Sequence, residues 1–379
     1  ASGAIANGKP VIVNTDGTVT AIASSGSTSS VGSETQFESG AVEQMNYGGA
    51  FDSNNNRVVF VYKDDSNSDY GTAVAGTVSG TSITFGTPVV YSSINTDRNA
   101  ATFCGGSVNK VVIAYYKNNV DTTHTRVVNT SSSDNSITLG TDTQITSTAL
   151  GSEATFTTNS PTFTTCTFDS NSNRTVVFFS DDSDSENLKC RVGSTSGTTL
   201  SFGSITAVAS DRSGGNSVAF DSNSNKVVVV YNDKGNSDYG TAVVGTISGT
   251  SISFGTPVVF VSGAVSEASK RPTIAFDTTN NKMGIAFENS SQLKFITGAV
   301  SDTSITFDTA FTVDSNGATE IIKGVYDSNA DKFVVGYKKV SGSTGQARVV
   351  QIDTFSTNLT STENYIGIAT GGSYADGQS

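Results

Sequence analysis

Residues 50–91 read AFDSNNNRVVFVYKDDSNSDYGTAVAGTVSGTSITFGTPVVY, and residues 219–260 read AFDSNSNKVVVVYNDKGNSDYGTAVVGTISGTSISFGTPVVF. Weaker copies begin at Phe103, at Thr167 (TFDSNSNRTVVFF), at Ala275 (AFDTTNNKMGIAF) and at Val325 (VYDSNADKFVVGY). The aromatic residues that mark the six copies, Phe51, Phe103, Phe168, Phe220, Phe276 and Tyr326, are spaced by 52, 65, 52, 56 and 50 residues. A period of about 50 residues fits one propeller blade.

Each copy reads as four strands, A to D. Strand A ends at the Phe-Asp pair. The Asp-Ser-Asn-x-Asn stretch that follows is turn chemistry, because its short polar side chains bond back to the backbone and tolerate left-handed geometry. Strand B, Val58-Val59-Phe60-Val61-Tyr62 in the first copy, is a continuous apolar run and predicts burial on both faces. Strand C is mixed, and strand D, opening at Ser82-Ile83-Thr84-Phe85, alternates.

Residues 31–42 align with the strand D segment 254–265 but have no A, B or C before them, whereas the sixth copy supplies A, B and C and then leaves the pattern. The two ends therefore predict an all-β, six-bladed β-propeller whose last blade combines strands from both termini. Such closure removes unpaired sheet edges. The alternative is seven blades, with 10–37 and 363–369 forming the seventh. The expected domains are an N-terminal β segment at 1–30, the propeller at 31–355 and a C-terminal β segment at 356–379. Residues 10–19 read as strand, Asp-Gly turn and strand, and are expected to pair with residues 364–369.

The 379 residues carry 22 Lys+Arg against 34 Asp+Glu, a formal charge of −12, which argues against gripping a nucleic acid backbone. No apolar stretch approaches the roughly 18 residues of a membrane helix, so no membrane insertion is expected. The opening ASGAIANGKP lacks the basic and apolar regions of a signal peptide. Three cysteines, Cys104, Cys166 and Cys190, have neither CxxC spacing nor even number, and indicate neither zinc nor a disulfide framework.

Candidate chemistry lies mostly in loops. The turns starting at Asp52, Asp169, Asp221 and Asp327 carry oxygens at alternate positions, a pattern that suits Ca²⁺. They lack the Gly and distal Glu of an EF-hand, so a hairpin turn is the preferred reading and no cofactor is expected. The run Asp181-Asp182-Ser183-Asp184-Ser185-Glu186 reads as a solvated loop, and so does His124, the sole histidine. The A-to-B and C-to-D turns resemble one another from copy to copy, whereas the B-to-C and D-to-A loops vary, and variable loops on a rigid scaffold are where binding sits. That face offers Asp69 and Tyr70, Asp238 and Tyr239, and the arginines Arg98, Arg212 and Arg271 as candidate ligand residues. A Tyr face covers sugar C–H patches, a carboxylate takes hydroxyls, and an Arg fork takes an acidic glycan. No catalytic residue is assigned. The Trp-bearing Asp-box of sialidases is absent, as is Trp itself.

Tandem units of the form FDSNxN[KR]VVVxYxDxxNSxYGTAxVGTxSGTSIxFGTPVVF, followed by NLTSxENYIGIA and YADGQS, resemble repeat regions of structural and tail-associated proteins of marine phages and related environmental sequences. The resemblance spans nearly the whole chain and loosens at Cys104-Gly105-Gly106-Ser107, which replaces the second turn. It implies a non-enzymatic virion appendage module, extracellular, joined to other virion proteins through its terminal segments and presenting loops to a host surface glycan or protein. A purely structural virion decoration and a secreted or cell-surface lectin-like adhesin are the alternatives, with a glycan-degrading enzyme behind them.

Overall fold

The computed structural model describes residues 10–13, 19–21, 29–43, 48–105, 108–144, 154–157, 161–196, 199–265, 271–352 and 365–368. The chain divides into two compact bodies, one of Ala1–Ser30 with Ile352–Ser379 and one of Val31–Gln351. In the first, Pro10–Val13 is the centre of a three-stranded antiparallel sheet, between Val19–Ala21 and Tyr365–Ile368.

The second body is all-β, and its only helical content among the described residues is three single 3₁₀ turns. Its strands form antiparallel A–B–C meanders, here numbered as repeats I to VI. Strand B in each is the central member: Arg57–Asp64, Lys110–Lys117, Arg174–Asp181, Lys226–Asp233, Lys282–Asn289 and Lys332–Lys339. Strand D is split. In repeat I, Ser82–Phe85 pairs with the far end of strand C, and the start of Val89–Cys104 pairs with its near end. Val89–Cys104 then continues as strand A of repeat II, as Thr206–Asp221 continues from repeat III into repeat IV.

The turn reading of the Asp-Ser-Asn stretches accounts for their oxygens. Asp52, Asp169, Asp221, Asp277 and Asp327 are buried, and Oδ1 of each accepts the backbone N–H groups two and three residues on, at 2.8–3.2 Å. The fifth residue of each turn, Asn56, Asn173, Asn225, Asn281 or Asp331, is left-handed with φ between 53° and 57°, which Asn and Asp adopt more readily than other side chains. The carboxylate of each turn is thus directed at its own backbone.

The B strands are the core. Val58 to Tyr62 are all fully buried, as are Val228, Val229 and Val230. In repeat I one face of the strand packs on repeat VI and the other on repeat II: Val58 and Phe60 join Val334 and Val349 of repeat VI, while Val59 and Val61 join Val111 and Ile113 of repeat II. Repeats III with IV, and IV with V, share clusters in the same way. At the outer edge the approach is closer than a side chain permits. A Cβ on Gly32, Gly86, Gly203 or Gly255 would lie 1.6, 2.4, 2.0 or 1.8 Å from the carbonyl oxygen of Thr81, Asn135, Thr250 or Thr303 of the neighbouring repeat.

The N-terminal strand Thr35–Glu43 takes the place of strand D in repeat VI. It pairs antiparallel with Thr344–Gln351 through Gln36↔Gln346 and Glu38↔Gly345, which sets residues 35–37 beside strand C of repeat VI. Phe37 lies over Gly345 as Tyr91 lies over Gly71 and Phe260 over Gly240. Glu34 accepts from Tyr337 Oη at 2.8 Å and pairs with Lys339, and Gly32 N–H donates to Val349 O at 2.8 Å. The same segment reaches repeat I, where Tyr62 Oη donates to Glu38 Oε2 at 3.0 Å.

Two substitutions test this packing. Val228→Asp places a charge between two repeats and is expected to lower unfolding free energy by about 3 kcal/mol or more. Gly255→Ala drives a methyl into Thr303 O and is expected to cost about 1–3 kcal/mol, while Gly249→Ala, in open space but at φ 62°, costs about 1 kcal/mol. Urea unfolding of the three variants against the parent reads the order; a Val228→Asp protein as stable as the parent contradicts the assignment.

Candidate functional site

The B-to-C corners are built alike in three repeats. A single 3₁₀ turn, Asp65–Asn67, Asp182–Asp184 or Lys234–Asn236, is followed by two left-handed residues, Ser68 with Asp69, Ser185 with Glu186, and Ser237 with Asp238, at φ 56–62°. The carbonyl of the second residue accepts a backbone N–H from the strand crossing toward the next repeat: Thr96 to Asp69 at 3.1 Å, Ser213 to Glu186 at 3.0 Å and Val265 to Asp238 at 2.8 Å. The backbone tie is common to all three. The fate of the carboxylate is not.

In repeat I, Lys63 Nζ stands 3.4 Å from Asp69 Oδ1, 3.9 Å from Asp97 and 3.7 Å from Glu43, and Asn95 donates to Asp69 Oδ2 at 2.8 Å. In repeat III, Glu186 pairs with Arg212 and lies 3.6 Å from Lys234 Nζ. The bond from Arg212 leads in holding the Glu186 carboxyl below its ordinary range, against a smaller upward push from burial. In repeat IV the position of Lys63 is taken by Asn232, and Asp238 is exposed with no side-chain partner among the described residues.

Asp238 stands at a polar pocket of about 320 Å³ that Asn232, Val265, Glu288, Asn289 and Ser290 also line. Asn232 spends its amide N–H groups on Val265 O and on Asp238 O, which leaves its Oδ1 buried without a hydrogen-bond donor. Asn289 Nδ2 donates to Ala264 O at 3.1 Å and its Oδ1 accepts from Ser290. The pocket therefore combines a free carboxylate and an unsatisfied amide oxygen, an acceptor-rich set that calls for hydroxyl or N–H donors. Its volume lies at the lower end of the range of about 300–1,000 Å³ for small-molecule sites.

The seven residues singled out from the sequence are spread over repeats I to V. Asp69 and Tyr70 form one corner, and Asp238 and Tyr239 another, both tyrosines half-buried at the start of strand C. Arg212 is committed to Glu186. Arg98 is exposed and left-handed, at φ 55°, where strand A of repeat II begins. Arg271 stacks its guanidinium 5.3 Å from the ring centre of Phe163 in repeat III, and its Cβ fills the space opened by Gly215. Lys270 and the side chain of Asp211 lie outside the described residues. Glu186 was absent from that set, yet the aligned loops DDSNSDY, DDSDSEN and DKGNSDY place it level with Asp69 and Asp238.

Two sequence expectations are corrected. The carboxylate run is not solvated throughout, because Asp181 is fully buried, accepts Ser183 N–H at 3.1 Å and holds Lys189 Nζ at 2.9 Å. His124 lies on the strand Thr122–Thr130 and not in a loop: Nδ1 is 2.9 Å from Asp142 Oδ1, Nε2 is 3.0 Å from Thr122 Oγ1, and the ring stacks on Tyr115. Asp142 also accepts from Tyr115 at 2.7 Å and from Lys117 at 2.5 Å. Burial alone would raise the Asp142 carboxyl, but these bonds overcome it and bring it down to about 2. A depressed carboxyl stabilises the fold above its unfolded pKa of about 3.9, and that contribution is lost as pH falls through the folded value. Melting temperature is accordingly expected to drop between pH 4 and about pH 2, and the Asp142→Asn variant to show a shallower drop; identical profiles contradict the role assigned to Asp142.

No protein-family model matches the sequence, and no curated protein matches it. Among solved structures, the chain is similar to an arginine-to-alanine triple mutant of AofleA from Arthrobotrys oligospora, at 8% identity and a TM-score of 0.49 over 93% of each chain. It is similar to a protein of unknown function from Dyadobacter fermentans at 10% identity and a TM-score of 0.49, over 93% of this chain and 100% of that one. A Trypanosoma rangeli sialidase in complex with sialic acid matches at 10% identity and a TM-score of 0.43, over 93% of this chain and 59% of that chain.

Proposed function

We propose that the second body is a six-bladed propeller, closed by Thr35–Glu43, that binds neutral glycans at the corner between repeats IV and V without chemical turnover. Contacts between A strands of repeats V and VI, VI and I, and I and II support the ring, as does the pairing of Thr35–Glu43 with Thr344–Gln351. The observation that carries the ligand reading is Asp238: its counterparts in repeats I and III are ion-paired, with Lys63 and with Arg212 and Lys234, whereas Asp238 has no side-chain partner among the described residues and stands beside a buried acceptor, Asn232 Oδ1. Sugar hydroxyls supply donors to both, and Tyr239 begins the adjoining strand C.

The likeness of the repeats to those of marine phage structural proteins supports placing this module on a virion appendage. There it is extracellular, attached to other virion proteins through its terminal segments and turned toward host surface glycans. The ion-paired corners of repeats I and III favour a second reading, in which those corners only stiffen the ring as part of a structural decoration.

Glycan-array binding of the whole chain, followed by titration of Asp238→Asn, tests the site. Asn keeps the left-handed backbone but loses the charge, and affinity is expected to fall about tenfold or more. Glycan binding that Asp238→Asn leaves unchanged moves the site elsewhere; release of reducing sugars from bound glycan makes the protein an enzyme; detection in purified phage particles by mass spectrometry checks the virion placement.

A further inference from the structure

A second cavity, of about 840 Å³ and open to solvent, is lined mainly by A strands of repeats I, II, III, V and VI. Its lining is mostly apolar or hydroxylic, including Ala100, Ala101, Ile274 and Val325, and it contains one charged side chain, Lys323. Four residues before each A-to-B turn the chain has Gly48, Ala100, Thr165, Ser217 and Thr273 in repeats I to V, all small, and Lys323 in repeat VI. The register confirms the equivalence: Ala100↔Ala114, Thr165↔Phe178, Ser217↔Val230, Thr273↔Ala286 and Lys323↔Gly336. Room for the long stem comes from Gly49 of repeat I, where a Cβ would lie 2.8 Å from Lys323 Cβ.

Lys323 Nζ has no hydrogen bond or ion pair with any described residue. Water reaches the cavity, but protein surrounds the amine, so desolvation lowers the Lys323 pKa, against a smaller upward influence of Cys166 from repeat III. Cys166 is exposed at the same cavity wall. An amine in such surroundings is stabilised by an anion brought to it, and one amine matches one negative charge. Among the described residues no Arg fork and no second cation lines the cavity, which disfavours phosphate and other multiply charged groups. The apolar wall suits a hydrocarbon body attached to the charge.

We propose that this cavity is a binding site for an apolar monocarboxylate, a fatty or aromatic acid, whose carboxylate pairs with Lys323 Nζ while its hydrocarbon lies against the A strands. This site is separate in residues from the Asp238 pocket and does not depend on the glycan reading. Binding should draw the amine toward its charged form, so Lys323 takes up a proton when the carboxylate binds at alkaline pH.

Calorimetry of the full chain with octanoate and with benzoate, each beside its neutral alcohol, octanol or benzyl alcohol, tests the proposal. Either acid is expected to bind at least about tenfold more tightly than its alcohol, and Lys323→Met, which keeps the length of the side chain, to abolish that preference. Lys323→Arg is expected to retain it. NMR of the ¹³C-methylated amines provides a readout that does not rely on a variant, with the Lys323 resonance titrating at higher pH when acid is bound. Equal affinity for acid and alcohol, no binding of either, or a Lys323→Met protein that folds by circular dichroism and still prefers the acid overturns the proposal.

Discussion

The pairing of Thr35–Glu43 with Thr344–Gln351 joins segments about 300 residues apart in sequence, and the rest of the second body depends on it. Each repeat leaves one face of its B strand to be covered by a neighbour, so a row of repeats would expose an apolar face at either end. Between repeats VI and I the N-terminal strand packs into the shared cluster of Val58, Phe60, Val334 and Val349. Phe37 contributes to both sides, stacking 5.6 Å from Phe60 and lying over Gly345, while Val42 is fully buried in the same cluster. Gly32 performs against Thr81 the same close approach that Gly203 and Gly255 perform within the row.

This architecture accounts for why the corners can differ chemically. The backbone tie from the left-handed residue to the crossing strand is fixed by turn geometry and appears with Asp69, Glu186 and Asp238 alike. Side chains around it then vary without cost to the core. A Lys at 63 gives Asp69 a cation at its corner, an Asn at 232 offers Asp238 none, and Lys234 turns its charge toward Glu186 of the preceding repeat.

Much of this was legible in the sequence because repetition let one copy annotate another. The buried B strands followed from Val58 to Tyr62, the turns from Asp52 and its counterparts, and the orphan D strand from residues 31–42. Asp238 was legible as a loop residue but not as the carboxylate that, of the three corners and among the described residues, has no cation beside it, since that depends on which cations lie within reach in space. Arg271 looked like a ligand residue because its contact, Phe163, lies more than 100 residues away. His124 looked solvated because its partner Asp142 lies 18 residues on, in the link between the strands Ile137–Leu139 and Thr143–Gln144. Lys323 escaped notice because its strand is not strictly alternating, and the cavity around it is made by four other repeats.

The central claim is that the N-terminal strand completes the sixth repeat. Pairing Gln36 with Gln346 places their Cα atoms directly opposite across the ladder, within the reach of a disulfide. Under mild oxidation, a Gln36→Cys, Gln346→Cys double variant is expected to form that bond quantitatively within one chain, seen by peptide mass mapping, and to melt at a higher temperature than its reduced form. A double variant that stays reduced in the folded protein, or that links only between chains, contradicts the closure.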